Sequence, residues 1–150
     1  SGSNDCSIII WNTIDGSIIK KYDDHNDIVR SVDYNKEGTL ASASDDKTII
    51  VYNEEKTILH HKNRVRSIKW NPVSENLLLS GCDDFSITLW NVSNKTIIRT
   101  FKEHTNFIYS LVWNNQTNKT HLFKVLHSSS SSSFNFISFL ICITSYLYHS

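Results

Sequence analysis

No excess of charge of either sign marks this sequence: over 150 residues, 15 Lys and Arg offset 15 Asp and Glu. Without a global field there is no pull toward nucleic acid or an anionic membrane surface, so nucleic acid is not the expected partner and any charged partner must meet a local patch. Cysteine is scarce. Cys6, Cys82 and Cys142 lie far apart and form no CxxC pair, which argues against a disulfide framework and a zinc site and suits a reducing compartment, the cytoplasm or else the nucleus. The adjacent pair His60 and His61 has no nearby Cys or acidic cluster to complete a metal site, so neither a metal nor another cofactor is expected. The four Asn-x-Ser/Thr triplets, at Asn91, Asn94, Asn115 and Asn118, are what chance supplies in a chain rich in those residues. No methionine and no charged-then-apolar leader open the chain, which reads as an excerpt of a longer protein.

What the sequence does have is a repeat. "SIIIWN" at Ser7 returns as "TIIVYN" at Thr48 and "SITLWN" at Ser86. These runs are short, β-branched or aromatic, and end at Asn, which favours strands. Their apolar residues are consecutive, so both faces of each strand should be covered, as in a sheet stacked between two others. Upstream of each run stand "SGSND" at Ser1, "SASDD" at Ser42 and "SGCDD" at Ser80. Small residues suit a closely flanked strand, and the Asn/Asp pair suits a tight hairpin into the next one. "HNDIVRSVDYN" from His25, "HKNRVRSIKWN" from His61 and "HTNFIYSLVWN" from His104 align without a gap, and "SIIKKY", "KTILH" and "TIIRTF" supply an outer strand to each unit. The period is four short strands in about forty residues.

Over Ser1 to Asn114 the chain resembles the WD40 repeat, whose four-stranded units are blades of a β-propeller. The family's Gly-His appears as Asp24-His25, His60-His61 and Glu103-His104, and its Trp-Asp as Trp11-Asn12, Tyr52-Asn53 and Trp90-Asn91. The repeats are divergent but in register. The resemblance implies an all-β fold, a partial propeller with two complete blades, about Ile28 to Leu59 and Arg64 to Phe101, and an open ring. Closed propellers need about four to eight blades, so two broad apolar faces are left to aggregate, self-associate or borrow a partner. The implied function is a non-catalytic scaffold or adaptor that presents a rim to a protein or peptide within a larger complex.

Ser, His and Asp recur together, so nucleophilic catalysis has to be weighed. The resemblance instead assigns His25, Ser42, Asp46 and Tyr52 to a buried hydrogen-bond chain in one blade, and His61, Ser80, Asp84 and Trp90 to its counterpart. A hydrolytic Ser needs an exposed hydroxyl, a base and an oxyanion hole; no GxSxG elbow is present, and an active site is not normally rebuilt in every blade. A hydrolase is the weaker reading and the protein is expected not to be an enzyme.

Strand alternation points Val29, Val65 and Ile108 into the packing and turns their neighbours, Ile28 and Arg30, Arg64 and Arg66, Phe107 and Tyr109, the other way. In the family the same positions, with the residue before the hairpin Asp (Asn4, Asp45, Asp83), contact partners. Arg and aromatic residues are favoured at binding hot spots, and a peptide with an acid and an apolar or aromatic anchor suits Arg66 beside Tyr109. The competing structural reading pairs Arg64 and Arg66 with Asp45 or Asp83 across neighbouring blades.

From Asn114 to Ser150 there is no Asp, Glu, Gly, Pro or Trp, so the repeat's signals stop. Residues 115–133 read as a polar linker with the Ser128 to Ser133 run, and 134–150 as an apolar tail. Two accounts compete: a translated intron or shifted frame, which is favoured, and a real segment that tethers the chain to a membrane. Phe134 to Tyr148, interrupted by Asn135, Ser138, Thr144 and Ser145, falls short of the roughly twenty residues needed to span a bilayer.

Overall fold

The computed structural model describes residues 1–114, 120–126 and 139–144. Every helix or strand among them is a strand, and each sheet is antiparallel with its strands in chain order. Ile8–Trp11 (β1) and Ile18–Tyr22 (β2) form a hairpin extended by a bridge from Gly2 to Ile8. Val29–Tyr34 (β3), Leu40–Ser44 (β4), Thr48–Tyr52 (β5) and Thr57–His60 (β6) make one four-stranded sheet. Val65–Trp70 (β7), Leu77–Cys82 (β8), Ile87–Asn91 (β9) and Thr96–Phe101 (β10) make the next. Ser110–Asn114 (β11), Thr120–Leu126 (β12) and Phe139–Thr144 (β13) form a three-stranded sheet. β12 falls in the stretch read as a linker and β13 in the one read as a tail; the Ser128 to Ser133 run, Asn115 and Asn118 lie outside the described residues.

The two four-stranded sheets are copies in register. Ser42 faces Ile50 and Leu40 faces Tyr52 across β4 and β5, and Ser80 faces Thr88 and Leu78 faces Trp90 across β8 and β9. Successive side chains leave opposite faces of a strand, and that is how consecutive apolar residues serve two cores. Leu78 and Trp90 join Ala43, Val51, Leu59 and Val65 between the two sheets. Leu77, Leu79 and Leu89 pack the other way, against Ile108, Leu111 and Trp113 of the β11 region. Leu40 turns back to Ile8 and Val29 against the first hairpin. Each such Leu, once buried, contributes about 2 kcal/mol. The expected coverage of both faces holds for β5 and β9 but fails for β1: Trp11 remains 46% exposed, because no described sheet stacks on that side of the hairpin.

The small residues upstream of the hairpins set the spacing of the stack. A Cβ on Gly81 would lie 2.6 Å from Ile108 Cγ2, and one on Gly2 would lie 2.7 Å from Val29 Cγ1. Both neighbours belong to the following unit. Among the described residues no helix is long and apolar enough to cross a membrane.

Candidate functional site

The rim is built where an inner strand enters its sheet. Val29, Val65 and Ile108 are buried, as alternation requires, while Arg30, Arg64 and Tyr109 are exposed. The pairing of β3 with β4 slips between Val29 and Ser31, and that of β7 with β8 between Val65 and Ser67. Arg30 and Arg66 are therefore the extra residues of two β-bulges, a device that re-aims a side chain. Each is turned onto the hairpin Asp of its own sheet.

Asp45 and Asp83 are pinned first by backbone: their N–H groups donate to the carbonyls of Ile28 and Arg64, both at 3.0 Å. Arg30 then donates from Nε to Asp45 Oδ1 at 3.0 Å and from Nη2 to Oδ2 at 2.5 Å. The Arg30 fork holds the Asp45 carboxyl below its usual range despite burial, and the same fork raises the Arg30 guanidinium. Arg66 repeats the arrangement on Asp83, through Nε and through Nη2 to Oδ2 at 3.2 Å. The competing reading, which paired Arg64 and Arg66 with Asp45 or Asp83 across neighbouring blades, is thus corrected: the Arg66 fork closes within its own sheet, because bulge and hairpin belong to the same pair of strands. Arg64 has no ion-pair partner among the described residues.

Aromatic rings complete the rim. The Arg66 guanidinium lies over Phe107 at 4.5 Å and Tyr109 at 5.7 Å, and Phe107 meets Phe85 edge-on at 5.4 Å. Phe85 was not foreseen. It follows the Asp pair of its hairpin with φ 64°, as Lys47 and Cys6 do at φ 70° and 67°. This left-handed position normally selects Gly or Asn, so three bulkier residues hide the turn. The only signal in the sequence is the repeat itself, in which that slot becomes aromatic once.

Behind the rim lie the recurring Ser, His and Asp. In the first sheet His25 Nδ1 binds Asp46 Oδ2 at 2.8 Å and Nε2 binds Ser42 Oγ at 2.7 Å. Burial alone would raise the Asp46 carboxyl, but bonds from Thr48, Asn26 and His25 outweigh it and hold it below the usual range. The Tyr52 hydroxyl is buried without a hydrogen-bond partner, and burial pushes the phenol up to about 12. Tyr52 does not close the expected chain: its ring packs on Tyr22 at 4.3 Å, and its hydroxyl, though near enough to Ser42 to feel it, forms no hydrogen bond. In the second sheet Trp90 Nε1 donates to Ser80 Oγ at 2.8 Å, and the same hydroxyl meets His61 Nε2 at 2.9 Å. Asp84 is the absent member here. Its carboxylate takes the backbone N–H of Ser86 at 3.0 Å and the Ser86 hydroxyl at 2.5 Å, and it acts on His61 only through its charge. Burial drives the His61 imidazole down to about 4. Ser42 and Ser80 are fully buried.

A family model described as the WD domain, G-beta repeat, matches residues 16–53, and the anaphase-promoting complex subunit 4 WD40 domain matches residues 55–116. The chain belongs to the WD40-repeat family. This WD40 chain is 30% identical over 117 residues to nuclear distribution protein nudF 1 of Talaromyces marneffei, covering 72% of the chain and 25% of that relative. It is 34% identical over 106 residues to WD repeat and SOCS box-containing protein 1 of Takifugu rubripes, covering 65% and 25%. It is 33% identical over 95 residues to the Lissencephaly-1 homolog of Caenorhabditis briggsae, covering 59% and 24%. The WD40 chain spans about a quarter of the length of these relatives. The four-stranded sheets are therefore blades, and the stack is a partial propeller with an open ring.

Proposed function

We propose that the chain is a non-catalytic scaffold that offers its rim to a protein or peptide partner within a larger complex. The observation that carries this reading is the rim cluster itself. Tyr109 is 48% exposed beside Phe107 and Phe85, with Arg66 held over the rings by Asp83. Aromatic area presented at low entropic cost is what a binding hot spot requires. Because Arg66 already spends its fork on Asp83, the cation available to a partner's acid is Arg64, and the aromatic pair takes an apolar or aromatic anchor. The absence of catalysis rests on the buried hydroxyls of Ser42 and Ser80, which no substrate carbonyl can approach. A reducing compartment, cytoplasmic or nuclear, fits the free thiols of Cys6 and Cys82.

The test is a pair of variants, Tyr109→Ala and Arg64→Ala, used as bait beside the unaltered chain after circular dichroism has established equal β content. Loss of the same captured proteins from both variants is expected. Identical captures from all three chains would overturn the rim reading.

A further inference from the structure

The two inter-blade junctions of the rim follow one plan and carry opposite chemistry. In the register of the repeat, each junction takes one residue from the hairpin tip of one unit and two from the entry of the next inner strand. Between the two complete blades these are Lys47, Arg64 and Arg66; between the second blade and the β11 sheet they are Phe85, Phe107 and Tyr109. Three cations give way to three rings. The Asp45 carboxyl, two residues from Lys47, feels the charges of both Arg64 and Arg66, which places these side chains together across the first junction. Lys47 and Arg64 are exposed and have no ion-pair partner among the described residues. Arg66 forks onto Asp83 and lies over Phe107 and Tyr109, so it links the two groups.

The rings form corners. Phe107 meets Phe85 at 5.4 Å with 66° between the planes and Tyr109 at 6.3 Å with 78°, so neighbouring faces stand close to right angles. A corner of two ring faces takes a compact saturated ring, whose C–H groups lie on the electron-rich faces, better than a flat one, which stacks on a single wall. Lys47 and Phe85 both hold left-handed backbone, at φ 70° and 64°, where Gly or Asn would sit with less strain. At each tip the residue kept there matches the character of its junction, and strain of this kind gathers where ligands are held.

We propose that the rim takes an extended segment in which prolines lie beside acidic residues, the acids over Lys47 and Arg64 and the prolines against Phe85, Phe107 and Tyr109. This rests on the rim reading above and gives the partner its chemistry. A polyproline helix is ordered before it binds and leaves its carbonyls unbonded, so it loses little entropy on a preformed ring cluster and offers acceptors to the exposed Tyr109. The cations at the neighbouring junction select the acid and repel a basic segment.

The full chain, with ¹³C-labelled Phe and Tyr, is titrated with acetyl-Pro-Pro-Pro-Glu-Glu-Pro-Pro-Pro-amide at fixed ionic strength. Saturable shifts of the Phe85, Phe107 and Tyr109 ring signals are expected, with those of Tyr22 and Tyr34 unmoved. The counterpart with alanine for every proline should bind at least tenfold more weakly, and those with leucine for proline or Gln for Glu several-fold more weakly. Phe85→Gly suits the backbone of its tip and should keep the melting temperature while weakening the peptide at least tenfold. Lys47→Gln with Arg64→Gln should erase the preference for Glu over Gln. No saturable shift, equal affinity for the alanine or leucine peptide, or unaltered affinity in Phe85→Gly would each overturn the proposal. Captures lost from Tyr109→Ala and Arg64→Ala with no response to this peptide would leave the rim standing and remove the proline segment alone; captures unchanged with no response would remove both.

Discussion

The two complete blades carry the same four buried positions, and each closes a different three of them. Blade one joins Asp46, His25 and Ser42 and omits Tyr52; blade two joins His61, Ser80 and Trp90 and omits Asp84. The reasons are local. Asp46 is drawn to His25 because the Asn26 N–H and the Thr48 hydroxyl hold it at 3.0 and 2.7 Å, one from the incoming loop and one from the hairpin. Asp84 draws its donors from its own hairpin, Ser86 and Cys82, and stays exposed. Tyr52 fails for another reason, since a phenol places its donor differently from an indole. A network that survives the loss of either end works as a structural tie between loop, hairpin and strand.

Acid should separate the blades most strongly. The His61 imidazole is held at about 4 in the folded chain against about 6.5 unfolded, so it is neutral when folded and binds a proton on unfolding anywhere between those values. Its neutral form is favoured by folding; stability is therefore intact above about pH 6.5 and falls as pH drops toward 4, by about 3 kcal/mol in all. Asp46, held below its usual range, acts lower: its contribution is present above the ordinary carboxylate value and is lost as pH falls through its folded value. Amide hydrogen exchange should thus show β7 to β10 opening first, between pH 6.5 and 4. Equal loss of protection in both blades over that window would contradict the assignment.

Ser80→Ala comes next. Ser80 Oγ serves both Trp90 and His61, whereas Ser42 Oγ serves His25 and only a long contact of 3.5 Å to the Ile50 carbonyl. Removing the first hydroxyl leaves two buried polar groups without their partner, costing about 2 kcal/mol, and removing the second leaves one, costing about 1 kcal/mol. Denaturant titration of both variants measures the ratio, and a larger loss from Ser42→Ala would reverse the comparison.

The repeat makes the blades legible in the sequence, because strand period, hairpin acids and inner-strand alternation are each written in local sequence. Val29, Val65 and Ile108 could be placed from alternation alone. The bulges at Arg30 and Arg66 could not, since a bulge is a property of two strands and no residue in "VRS" announces it. The forks follow the bulges, so alternation could say neither that Arg66 reaches the Asp83 of its own sheet nor that Arg30 reaches Asp45. Asp84 was placed in the chain for a similar reason, and the structure leaves it out: an Asp in the right slot says nothing about which donors arrive from the loop opposite.

At the shared aromatic position the two blades should respond with opposite sign. Tyr52→Phe removes a buried hydroxyl that has no partner and should raise stability by about 1 kcal/mol. Trp90→Phe removes the donor to Ser80 together with part of a well-packed ring, and should lower it. Thermal melting of the two variants reads the signs directly. A loss from Tyr52→Phe would mean that the phenol is bonded after all.

The smallest effect belongs to the rim and isolates its rings. Arg30 and Arg66 make the same fork from the same bulge, but only Arg66 also lies over Phe107 and Tyr109. Replacing either with Lys keeps the charge and loses the planar fork; at Arg66 it also loses the stacking surface. The two substitutions should therefore differ by about 0.5 kcal/mol, the worth of an exposed cation–ring contact. Ring-proton chemical shifts of Phe107 and Tyr109 should move for Arg66→Lys and stay in place for Arg30→Lys. If both variants shift the rings alike, the rim is one coupled ring of charge, and the blade-by-blade account of Arg30, Asp45, Arg66 and Asp83 would give way to a shared network.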